Sequence, residues 1–99
     1  MADEIISVEV TEDGYLRLPG EFSEKNFPHD RCIGTYKDGD FILWPSTIYA
    51  DASVIMKQRN VAGDRSTLIR EMWTDDYPVG HFDALWQPSR KRLVLNPQK

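Results

Sequence analysis

The 99 residues carry 40% apolar and 28% charged side chains, with three Trp and eight Phe and Tyr residues, which is a globular composition with material for one core and excludes a disordered chain. The single cysteine, Cys32, excludes an intramolecular disulfide and a multi-cysteine zinc or iron–sulfur site within one chain, and it suits a reducing cytoplasm. The longest apolar run, Phe41 to Trp44, is far short of the ~20 residues of a membrane helix, and Met1-Ala2-Asp3-Glu4 is acidic where a secretory signal is basic.

The net charge of −4 is unevenly placed, because residues 1–45 hold ten acids and four bases and residues 46–99 hold six acids and eight bases. The first half repels phosphate. The bases of the second half, Lys57, Arg59, Arg65, Arg70 and the run Arg90-Lys91-Arg92, read as solvated strand edges and turns, so nucleic acid is a disfavoured partner.

In chain order, Ile5 to Val10 alternates with Ile6, Val8 and Val10 on one side, and the chain resumes as Tyr15 to Leu18 before Pro19-Gly20. A three-residue loop, Glu12-Asp13-Gly14, places Val10 opposite Leu16 and Val8 opposite Leu18, on one face; a two-residue turn would put Val10 opposite Arg17. Residues 20–31 lack two-residue alternation and form a short connector in which Ser23 caps a single helical turn before Pro28. A second hairpin runs Cys32 to Tyr36 and Asp40 to Trp44, with Gly39 of Lys37-Asp38-Gly39 in the place of Gly14 and Pro45 ending the strand.

Residues 51–76 admit two readings. As strands, Ser53 to Arg59 and Ser66 to Trp73 flank a six-residue link, with Val54 and Met56 on one face and Leu68, Arg70 and Met72 alternating opposite. As helices, Asp51 caps one ending at Gly63, and Leu68, Ile69, Met72 and Trp73 share a face of another. The strand reading agrees better with the surrounding chain. A last hairpin joins His81 to Trp86 with Arg92 to Leu95 through Gln87-Pro88-Ser89-Arg90, before Asn96-Pro97. The expectation is one mostly-β domain over 1–99, a small antiparallel barrel or two-sheet sandwich built from successive hairpins with at most short helices.

The stretch Val8 to Pro45, VEVTEDGYLRLPGEFSEKNFPHDRCIGTYKDGDFILWP, resembles the swapped-hairpin family of AbrB-type transcription factors and MazE-type antitoxins. The likeness lies in a strand, a turn, a strand ending in Leu-Pro, a helical connector and a hairpin ending in Pro. The resemblance implies two chains interleaved into a dimeric barrel that binds DNA through basic residues. Within Val8 to Pro45 those bases are only Arg17, Lys25, Arg31 and Lys37, outnumbered by acids.

Few residues suggest chemistry. His29-Asp30-Arg31-Cys32 and His81-Phe82-Asp83 offer imidazole, thiolate and carboxylate, so His29, Cys32, His81 and Asp83 are the metal candidates if the two segments meet. Cys32 with either histidine would supply the parts of a covalent catalyst, but no nucleophile elbow, phosphate-cradling loop or carboxylate pair accompanies them. Trp44, Trp73 and Trp86 lie near strand ends and could gather at one end of a barrel as core. If exposed beside Arg70 and Arg92, Trp73 and Trp86 would instead mark a partner-binding patch. The sequence thus favours a cytoplasmic, non-enzymatic protein-interaction module without a cofactor, an accessory or assembly factor for a larger enzyme, with a homodimer also open. The alternatives are a dimeric DNA-binding regulator or antitoxin, and a small metal-binding protein using His29, Cys32 and His81.

Overall fold

A computed structural model describes residues 2–46, 53–58, 63–70, 72–73 and 76–97. The first hairpin pairs β1 (Glu4–Val10) with β2 (Tyr15–Leu18), Val10 opposite Leu16 as its apolar pattern requires. Its three-residue loop is closed by the Thr11 N–H on the Tyr15 carbonyl at 2.9 Å, and Gly14 has φ 88°. The aliphatic stem of Arg70 lies against Gly14, so a side chain there would meet both a disfavoured backbone and occupied space.

The helix α1 (Gly20–Asn26) follows at once. Ser23 does not cap it. The N-cap is Pro19, the Ser23 N–H donates to the Pro19 carbonyl at 3.0 Å, and the Ser23 hydroxyl is buried with no hydrogen-bond partner among the described residues. A residue from far along the chain does the capping, since Asp64 Oδ1 accepts from the Gly20 N–H at 3.0 Å. Phe22 and Phe27 are buried, anchoring this short element by side-chain packing rather than by helical propensity.

The second hairpin, β3 (Arg31–Lys37) with β4 (Asp40–Pro45), corrects the expected turn. Lys37 pairs with Asp40 and Tyr36 with Phe41, leaving a two-residue Asp38-Gly39 loop in which both residues have positive φ, 54° and 86°. That is a type I′ turn, whose twist suits a tight hairpin. It places Phe41 and Leu43 on the inner face with Cys32, Gly34 and Tyr36.

The contested segment is extended. Short strands β5 (Val54–Ile55) and β6 (Lys57–Gln58) precede β7 (Arg65–Leu68), with Lys57 opposite Ser66 and Gln58 opposite Arg65. The expected strand Ser66 to Trp73 ends early, at Leu68. Ile69 then opens a helical turn, its carbonyl accepting from Met72 and Trp73 N–H at 2.9 Å each, which buries Ile69 and Trp73 together. The expected strand ends beyond Gln58, and the remainder of the six-residue link, fall partly outside the described residues. The last hairpin is β8 (Gly80–Gln87) and β9 (Arg92–Leu95), joined through Pro88 to Lys91.

These strands form one antiparallel sheet in the order β5-β3-β4-β9-β8-β1-β2-β7-β6. The two terminal strands are consecutive in sequence: β5 pairs with β3, β6 pairs with β7, and the intervening Met56 is buried with its N–H on the Asp30 carbonyl at 2.8 Å. One extended segment therefore serves both sheet edges, and the sheet curls into a nearly closed barrel. A salt bridge spans the same junction, from Arg65 Nε on β7 to Asp30 Oδ1 before β3 at 2.9 Å.

The tryptophans do not gather at one end. Trp86 joins Phe22 and Phe27, at ring distances of 5.2 and 6.0 Å, whereas Trp73 is stacked between Tyr36 and Phe41 at 4.8 and 5.0 Å. Trp44 belongs to neither cluster.

Candidate functional site

The four residues considered for partner binding are dispersed. Trp73 and Trp86 are 4% and 5% exposed and form part of the core. Arg70 is exposed beside the β1–β2 turn and Arg92 lies on β9, with β8, β1 and β2 between its strand and β7. The metal candidates are likewise apart. Cys32 is on β3 and His81 and Asp83 on β8, with β4 and β9 between them, while His29 is exposed in the turn before β3. Among the described residues no three His, Cys, Asp or Glu side chains converge. Cys32 is buried, its Sγ 3.4 Å from Thr67 Oγ1, and burial pushes its thiol up from 9.0 to about 11. A thiol so placed is an unreactive core group.

The outer face of the barrel carries a pattern that no single segment reveals. On β4, Phe41 and Leu43 are buried, so Ile42 and Trp44 project outward; by the same alternation Val94 and Arg92 project from β9, and Leu85 and Gln87 from β8. Register then aligns them. Ile5 is opposite Leu85, Leu85 opposite Val94, and Val94 opposite Ile42. The result is an apolar row across β1, β8, β9 and β4, continued on β3 by Thr35. At about 4.8 Å per strand the five-strand row is roughly 20 Å long.

A second row lies beside it, in which Ile33 is opposite Trp44 and Arg92 opposite Gln87. Arg92 Nε donates to Gln87 Oε1 at 2.6 Å, which holds the guanidinium along the strands. On the other flank Asn96 Nδ2 donates to Asp40 Oδ1 at 2.8 Å, and Ser7 is opposite Asp83. Lys37 is opposite Asp40 on this flank, so the apolar stripe is bordered by Arg92 on one side and by Lys37, Asp40 and Asp83 on the other, a polar rim around an apolar row. Ile5, 64% exposed, marks its open end.

A cleft of about 390 Å³ opens at the end of the barrel, between the last turn of α1, the turn after it, the end of β4 and the β8–β9 turn. Trp86 and three prolines, Pro28, Pro45 and Pro88, supply apolar wall, and Lys25, His29 and Lys91 supply the polar groups. No helix among the described residues is long and apolar enough to cross a membrane. No protein-family model, curated protein or solved structure gives a significant match to this chain.

Proposed function

We propose that this chain is a cytoplasmic, non-enzymatic protein-interaction module, an accessory or assembly factor that docks a larger partner on the outer face of β1, β8, β9, β4 and β3. The observation that supports this reading is the continuous apolar row Ile5–Leu85–Val94–Ile42 on the outer face, exposed at Ile5 and half-buried at the other three. Trp44 and Arg92 are residue types favoured as interface anchors. The charge pattern suits a partner with an apolar surface bearing a carboxylate for Arg92 and a basic group for Asp83, Asp40 being matched by Lys37 and Asn96 of the chain itself.

The test compares wild type with Val94→Glu and Ile42→Glu, both at outward positions, and with Lys57→Glu on another strand as a control. Retention of the native partner should fall at least about tenfold in the two stripe variants and not in the control, with melting temperature unchanged. Equal retention by all four proteins would remove the stripe as the docking face.

The alternative, a DNA-binding regulator or antitoxin of the swapped-hairpin kind, is favoured by one observation: β1, β2, α1, β3 and β4 follow one another in that family's order, with Pro19 and Pro45 at the same junctures. It predicts binding to the DNA upstream of its own gene that weakens steeply with salt. The outer-face reading predicts no such binding.

A further inference from the structure

The cleft at the end of the barrel is lined by cations on a chain that is acidic overall. The chain has a net charge of −4, yet the described residues lining the cleft include Lys25, Lys91 and His29 and no carboxylate. Glu4 and Glu21 line a neighbouring groove that shares Lys25 and Asn26 with the cleft, and three further acids are turned away from it. Asp30, next to His29, is paired with Arg65 at 2.9 Å; Asp64 caps α1; and the Glu24 carboxylate lies on the Gly63 side of the helix. Neither lysine nor His29 has an ion pair among the described residues.

The backbone at Lys91 is a second, independent observation. Lys91 has φ 50°, the left-handed conformation that glycine and asparagine adopt most readily, and its N–H closes the turn on the Pro88 carbonyl at 3.3 Å. A lysine is therefore an unfavourable choice for the turn itself, and Lys91 lines the cleft. A disfavoured conformation retained at a cavity wall is a pointer to function rather than to stability.

The wall opposite is apolar and rigid. Trp86 is held edge-on to Phe22 at 5.2 Å, and the rim prolines fix their own φ angles. At about 390 Å³ the space is within the range of small-molecule sites, with an apolar surface and a few polar groups at its rim.

We infer that this cleft binds a small organic carboxylate with an apolar body, its anionic head between Lys25, His29 and Lys91 and its body against Trp86. Net acidity elsewhere disfavours an extended polyanion, which would meet the exposed acids of α1 beyond the cleft.

The test uses 4-phenylbutyrate and its uncharged analogue 4-phenylbutyramide as probes of the full chain, followed by two-dimensional NMR of the Trp86 indole N–H and the Lys91 amide. The carboxylate should shift both signals saturably, with a dissociation constant of about 1 mM or lower, and the amide should bind about tenfold more weakly. Lys91→Gly relaxes the turn while removing the cation, so it should melt no lower than wild type and yet bind the carboxylate about tenfold more weakly. Lys25→Gln should weaken it in the same direction. Equal affinity for the two probes, unchanged affinity in both variants, or no saturable shift at Trp86 up to about 10 mM would each overturn the assignment. None of these readouts involves the outer stripe, so failure here leaves the docking reading intact, and the reverse holds.

Discussion

Replacing Asp30 tests how the barrel is closed. The Arg65 side chain is only 10% exposed, and its ion pair is with Asp30, 51% exposed, at 2.9 Å; it also donates to the Gly63 carbonyl. Asp30 itself has φ 52°, so a substitution there acts on the ion pair, on the backbone, or on both. Asparagine keeps an acceptor and tolerates the left-handed backbone, losing only the charge. Glycine loses the acceptor on a backbone it tolerates as aspartate does, and alanine loses the acceptor and is worse suited to the left-handed conformation than aspartate. A hydrogen bond to a charged group contributes about 1.5–3 kcal/mol, and half-exposure of the carboxylate reduces this to about 1–2 kcal/mol. Placing alanine in the left-handed region adds about 1 kcal/mol. The expected losses are therefore about 0.5–1 kcal/mol for Asp30→Asn, about 1–2 for Asp30→Gly and about 2–3 for Asp30→Ala. For a domain of this size each kcal/mol moves the melting temperature by about 5 °C, so Asp30→Ala should melt roughly 10–15 °C lower. Thermal and urea unfolding measure the series, and a cycle with Arg65→Met isolates the pair. An Asp30→Ala variant within about 2 °C of wild type, or a cost undiminished in the Arg65→Met background, would refute the bridging role.

Gly34→Ala should destabilise by about 1–3 kcal/mol in urea unfolding, because the added methyl would sit 2.8 Å from Phe41 Cζ and 2.9 Å from Met72 Sδ. Ser23→Ala should stabilise by about 1 kcal/mol, since it removes from inside α1 a buried hydroxyl without a partner among the described residues and improves helical propensity. Cys32 adds a pH signature. The folded thiol ionises only near 11, whereas the unfolded thiol ionises near 9.0, so the unfolded state alone loses its proton between them. Stability should accordingly be unaffected by this group below about pH 9 and fall by about 2–3 kcal/mol as pH rises to about 11. Titration of stability in wild type and Cys32→Ala isolates that slope, and identical slopes would contradict it.

The local hairpins were legible because alternation and turn chemistry act within a dozen residues. At Gly14 the need to keep Val10 and Leu16 on one face selected the loop length. At Gly39 the same kind of string, Lys-Asp-Gly, adopts a shorter loop, because Phe41 must face inward beside Gly34, where the missing side chain leaves room for its ring. That constraint depends on packing across the barrel. Ser23 suits a cap on local grounds alone, and the group that fills the role, Asp64, reaches Gly20 from 44 residues away. Leu68, Ile69, Met72 and Trp73 did carry a helical spacing, and the chain uses it for one turn only, after β7.

The outer stripe was beyond reach for a related reason. Ile5, Ile42, Leu85 and Val94 are each unremarkable in sequence, and only the registers of β1 with β8, β8 with β9 and β9 with β4 align them. Trp73 and Trp86 drew attention as candidate anchors, yet both are needed to fill the interior, while Trp44, one residue before a strand-ending proline, projects outward. The cleft depends on where acids are neutralised, and Asp30–Arg65 and Asp64–Gly20 are contacts between distant segments.

The division of residues 54–58 between two neighbours has a dynamic consequence. β1 and β8 are joined along seven residue pairs, whereas β5 and β6 hold their partners by two pairs each. Hydrogen exchange should therefore find a low-energy opening in which this segment detaches as a unit while the β1–β8 ladder stays protected. Such an opening would bare the edges of β3 and β7 together, giving the molecule two unsatisfied strand templates at once. The closing segment thus acts as a guard against self-templating, and its detachment rate would set how often that guard is lifted.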